Sequence, residues 1–127
     1  MGRVGSTLDE TTTQFIQAQH MFFVASAPLD ANGHVNVSPK GVDSFRILRP
    51  STVAYLDLTG SGIETVAHSK ENGRVVLMFC AFQGPPNVLR LPGRVVEPQA
   101  AEFEELAAHF PDYANAVDHR RGTRPDF

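Results

Sequence analysis

Val75-Val-Leu-Met-Phe-Cys-Ala-Phe82 is the longest apolar run in the chain, and its reading decides the architecture. Eight residues are far short of the roughly twenty that a membrane span needs. The run is apolar on both faces, which is the pattern of a strand buried on both sides, and Gly84, Pro85 and Pro86 end it. Upstream, Asn72 and Gly73 form a left-handed stop for a preceding helix. Val75 to Phe82 is therefore expected to be the central strand, with a helix before it and a turn after it.

Working outward, Thr52 to Leu58 alternates in the β manner and runs into Thr59, Gly60, Ser61 and Gly62. Ser61 and Glu64 have capping-box spacing, so this turn opens a helix in which Ile63, Val66 and Ala67 make a brief apolar face. Further upstream, Met21 to Ala27 reads as a strand ending at Pro28, followed by the turn-rich cluster Asp30 to Gly33. His34 to Ser38 then alternates, with Val35 and Val37 on one face and His34, Asn36 and Ser38 on the other. That polar face can line a site. Thr7 and Glu10 stand in the capping relation for a short helix within residues 1–20. Downstream, Val88 to Val96 is another strand that Pro92 and Gly93 interrupt, implying a bulge or an edge and a broken ladder there. A last helix follows Pro98, with Phe103, Leu106, Ala107 and Phe110 on one face, and residues 112–127 read as a loose tail.

The composition agrees with one globular domain spanning residues 1–127. Of the 127 residues, 42% are hydrophobic and 20% charged, unlike a disordered chain. A net charge of −3 gives no field to attract a phosphate backbone, so nucleic acid is not expected as a partner. The single cysteine, Cys80, can form no intrachain disulfide, and its apolar surroundings predict a buried, inert thiol. No apolar leader opens the sequence and no membrane signal follows, so the expected compartment is the cytoplasm. The five histidines, His20, His34, His68, His109 and His119, show no metal-ligand spacing and read as surface or boundary residues. Nucleophile elbows and Cys-x-x-Cys pairs are missing as well.

Four segments together resemble the pyridoxamine 5'-phosphate oxidase-like family, the flavin-binding split barrels. They are Met21-Phe-Phe-Val-Ala-Ser-Ala-Pro28, Gly33-His-Val-Asn-Val-Ser-Pro-Lys-Gly41, Tyr55-Leu-Asp-Leu-Thr-Gly-Ser-Gly62 and Leu77-Met-Phe-Cys-Ala-Phe-Gln-Gly-Pro-Pro86. The resemblance covers roughly Phe15 to Phe110. It implies a mainly β fold, a six-stranded antiparallel Greek-key split barrel with flanking helices, assembled as a homodimer with flavin mononucleotide (FMN) between protomers. It also implies a small oxidoreductase in which the flavin carries the redox chemistry. By the same resemblance Ser38, Lys40 and Gly41 lie near the flavin, Lys40 close to its phosphate or ring. The turn bearing Thr59, Ser61, Gly62 and Thr65 is suited to the phosphate, because free backbone N–H groups converge where a helix begins. Against these readings stand a solvated Lys40 in a Pro39 to Gly41 turn and an ordinary Ser61 cap.

Two departures open an alternative. The family usually carries an Arg-Lys pair at the start of that helix, where this chain has Glu64 and Thr65. A carboxylate about 5 Å from a phosphate costs on the order of 3 kcal/mol per charge pair at an effective dielectric near 20. Moreover, residues 112–127 offer little of the further strand that the family adds, so either the barrel is one strand short, leaving an open edge that invites pairing with a second chain, or the sequence is part of a longer chain. A catalytically silent split barrel that binds another small molecule or a partner protein fits those two features.

Overall fold

A computed structural model describes residues 7–56, 67–68, 71–94 and 105–110. Its elements in chain order are helix α1 (Glu10–Gln17), strands β1 (Met21–Ser26) and β2 (Asn36–Gly41), a 3-10 turn (Val42–Ser44), and strands β3 (Phe45–Arg49), β4 (Thr52–Tyr55), β5 (Arg74–Cys80) and β6 (Val88–Arg94). The fold is mainly β. Four strands form an antiparallel sheet in the order β2-β1-β5-β6, and β3 pairs with β4 in a second antiparallel sheet. Among the described residues the six strands do not close into a barrel, which matches the split form that the sequence suggests. No helix among them is long and apolar enough to cross a membrane.

The core lies between the two sheets. Ile16, Phe22, Val24, Phe45, Leu77 and Phe79 are its buried members. Phe22 is at its centre, stacked on Phe79 at 5.3 Å between ring centroids and meeting Phe45 and Tyr55 edge-on at 5.4 and 5.9 Å. These offset and edge-on contacts are the ones the ring quadrupole favours. Backbone hydrogen bonds extend each ladder by one pair beyond its strands, Leu56 N donating to Ser44 O beside β3–β4 and Val42 N to His20 O beside β1–β2.

Several sequence expectations hold and several need correcting. The strand at Met21 runs to Ser26, and Gly73 sits at φ 70°, the left-handed stop that Asn72-Gly73 signalled. Asp9, and not Thr7, caps α1, because its carboxylate accepts from Thr12 N at 2.7 Å. The alternating segment pairs over Asn36–Gly41, two residues later than its pattern suggested, so Lys40 lies within a strand and not in a turn. Phe45–Arg49 is a strand that the pattern did not disclose.

β5 is interior to its sheet, yet only one of its faces is buried, through Leu77 and Phe79; Val76, Met78 and Cys80 on the other are half-buried. Cys80 is accordingly not the buried thiol expected. In β6 the ladder runs unbroken from Arg74↔Arg94 to Cys80↔Val88, passing through Pro92 and Gly93 without a bulge. An edge position tolerates this, since a proline there need give up no ladder bond. Pro39 occupies the opposite edge strand, β2, on the same terms.

The last helix is described only over residues 105–110, where Phe110 is buried and the Arg46 guanidinium stands 4.7 Å from its ring centroid. The tail at 112–127, the further barrel strand and the turn at 59–65 lie outside the described residues.

Candidate functional site

Strand β2 is inverted relative to an ordinary surface strand. Val37 is 63% exposed while Ser38, its neighbour, is only 9% exposed. By alternation Asn36, Ser38 and Lys40 share the inner face, and Val37 and Pro39 share the outer one. A buried polar group carries more information than an exposed apolar one, because burial of a hydroxyl or ammonium costs free energy unless something satisfies it. The row is positioned by its pairing with β1, where Lys40 lies opposite Phe22, Ser38 opposite Val24 and Asn36 opposite Ser26. Lys40 is thus half-buried at the edge of the aromatic cluster. Asn36 Nδ2 donates to Ser38 Oγ at 3.1 Å, which leaves the Ser38 hydroxyl hydrogen available for another acceptor.

Gly41 ends the strand and is exposed; a Cβ there would come within 2.5 Å of Asp43 Oδ1. Ser44 Oγ donates to Gly41 O at 2.7 Å and secures the turn into β3. The structure therefore brings Ser38, Lys40 and Gly41 together on one strand. Thr59, Ser61, Gly62 and Thr65 lie outside the described residues.

A second polar pair had no signal in the sequence. Ser26 Oγ and His68 Nδ1 are 2.8 Å apart, both side chains buried, joining the end of β1 to a helical segment 42 residues later. His68 is consequently neither a surface nor a boundary residue. Since Ser26 is the cross-strand partner of Asn36, this pair continues the polar inner face beyond Ser38. Among the described residues no carboxylate hydrogen-bonds the His68 ring.

The same end of the sheet is clamped by the residues that follow His68. Asn72 Nδ2 donates to Ala27 O at 2.8 Å, Asn72 Oδ1 accepts from Arg74 N at 2.8 Å, and Leu29 N donates to Glu71 Oε2 at 3.0 Å. The helix end and the exit of β1 are thereby locked at successive points. This fixes the start of β5, and with it the register that faces the polar row.

The chain is 47% identical over 95 residues, 72% of its length, to the pyridoxamine 5'-phosphate oxidase family protein ustO of Aspergillus flavus. The chain spans 38% of the length of that relative. No family profile matches the chain, and no solved structure matches it either.

Proposed function

The chain belongs to the pyridoxamine 5'-phosphate oxidase family, and on that premise we propose that it is an FMN-binding flavoprotein, a small oxidoreductase acting as a homodimer. The observation that carries this reading is the inward polar row of β2. Ser38 and Lys40 lie two residues apart on one face, about 7 Å along the strand, and offer a hydroxyl donor and a cation. That donor set fits a phosphate, which accepts charge-assisted hydrogen bonds from an ammonium and ordinary ones from a hydroxyl. Lys40 and Ser38 would hold the phosphate end, and Gly41 would leave the backbone accessible beside them. Thr59, Ser61, Gly62 and Thr65 would complete the cradle. When bound, a flavin supplies hydride or electron transfer, while the chain supplies binding, orientation and electrostatics.

Purified protein mixed with excess FMN and separated by gel filtration tests the reading. Flavin absorbance should travel with the protein peak. A colourless protein after saturation with FMN defeats the reading.

Glu64 favours a second reading, a silent split barrel that binds a different small molecule or a partner protein, because it stands where the family usually carries cationic residues. The two separate on Glu64→Arg. If an acid near the phosphate weakens flavin binding, the variant binds FMN at least tenfold tighter than the natural chain, since a repulsion of about 3 kcal/mol is removed. Unchanged or weaker binding counts against that explanation.

A further inference from the structure

Arg74 and Arg94 face each other directly in the β5–β6 ladder, and both are exposed. Like charges in directly opposed cross-strand positions repel, so such a pair needs an explanation. Both guanidinium groups converge on one residue. Arg74 Nε donates to Asn72 Oδ1 at 3.4 Å and Arg94 Nη1 to Asn72 O at 3.3 Å, while Arg74 Nη2 reaches Pro28 O at 3.5 Å. These contacts are long and their acceptors are neutral; they orient the two groups without neutralising them. Six of the fourteen acidic residues lie among the described residues, and none of those six pairs with either arginine. Glu71, next to Asn72, spends its Oε2 on Leu29 N instead.

We propose that Arg74 and Arg94 form a binding site for the phosphate group of a small molecule, distinct from the Lys40 row. Two planar forks side by side present more N–H donors than Asn72 and Pro28 use, and an oxyanion between them would relieve their repulsion. The separation from Lys40 follows from the register. Lys40 is level with Phe22 of β1, whereas Arg74 lies one residue beyond the Ser26↔Val75 pair, about 17 Å further along the strand. The two sites are also on opposite faces, since Arg74 alternates with the buried Leu77 and Phe79 and Lys40 shares the face of Ser38. Pro92, two residues from Arg94 on the exposed edge strand, gives the ligand an apolar surface beside its anionic end. Arg90, opposite Met78, adds a third exposed cation to that face.

Inorganic pyrophosphate is a suitable probe. Calorimetric titration at low salt should show binding that weakens as salt is added, because exposed charges are screened. Arg94→Gln should reduce the affinity at least tenfold, and Arg94→Lys, which keeps the charge but loses the fork, should recover part of it. Lys40→Met should leave this site unchanged, so it can fail or survive independently of the flavin reading. Equal affinity in Arg94→Gln and the natural chain overturns the proposal, as does loss of binding in Lys40→Met alone. Arg94 is exposed, and its contact to Asn72 is weak; a thermal midpoint close to that of the natural chain verifies that the variant is folded.

Discussion

Val37 and Ser38 are adjacent in sequence and opposite in environment, and that reversal is what the alternating segment disclosed in advance. A period of two needs only local information, so the polar face was legible. Its consequence is specific at Lys40. If the ammonium contacts a phosphate, Lys40→Met should weaken FMN binding about tenfold to a hundredfold, corresponding to the roughly 1.5–3 kcal/mol of a charged hydrogen bond. Equal FMN affinity measured by fluorescence titration would remove Lys40 from the site. The Ser26 and His68 pair was not legible, because the two partners are 42 residues apart and neither belongs to a spaced motif. Only folding brings them together. Ser26→Ala leaves the His68 ring without this partner in a buried place, and should cost about 1–3 kcal/mol of stability. Denaturant unfolding with an unchanged slope and a lowered midpoint is the expected result; no shift in midpoint would mean that water replaces the serine.

At the scale of elements, what succeeded and what failed divide along the same physical line. Gly73 at φ 70° and the strand from Met21 are fixed by near neighbours, and both were read from local pattern. β3 was missed because its two arginines, Arg46 and Arg49, mask a short run in which only Phe45 is buried and Ile47 and Leu48 are partly sequestered. Arg46 is accommodated by long-range and backbone partners, donating through Nη1 to Asp43 O and Phe45 O and through Nε to His109 O. Pro92 signalled the edge position that β6 occupies, but not the continuous ladder through it, since local pattern does not say on which side of the strand its missing N–H falls. Phe110 shows how far such tertiary support matters. It is 1% exposed and lies beneath the Arg46 guanidinium. Phe110→Ala should cost about 3–5 kcal/mol for the lost packing, with a further contribution of about 0.5–1 kcal/mol from the cation–π contact. Because Arg46 Nε bonds the backbone of His109, β3 should loosen as well, giving faster amide hydrogen exchange at Arg46 and Ile47 than in the natural chain. A midpoint shift without added exchange in β3 would confine the damage to residues 105–110.

On the scale of the whole molecule, the outer face of the four-stranded sheet is divided, with an apolar side over β2 and β1 reaching β5 and a basic side at the β5–β6 edge that carries Arg74, Arg90 and Arg94. The apolar rows read Val37, Ala25, Val76 and then Pro39, Phe23, Met78 across β2, β1 and β5. The both-faces burial expected of β5 therefore has half its cover in the described residues, through Leu77 and Phe79. A second copy of the chain placed on this face would supply the other half, and contiguous apolar surface of this kind marks interaction sites. A stable interface removes about 800 Å² from each partner. Sedimentation should accordingly give twice the chain mass of 13.9 kDa. Val37→Glu tests the location, since Val37 is exposed within its own protomer and a carboxylate there need not disturb the core. Burying that charge against an apolar partner is costly, so the variant should sediment as a monomer with an unchanged circular dichroism spectrum. If the flavin lies between protomers, FMN affinity falls when the dimer is lost, although Lys40 and Ser38 are untouched. A monomeric natural chain would discard the dimer altogether, whereas a Val37→Glu variant that stays dimeric would move the interface to another face and leave the β2 row to bind its ligand within a single protomer.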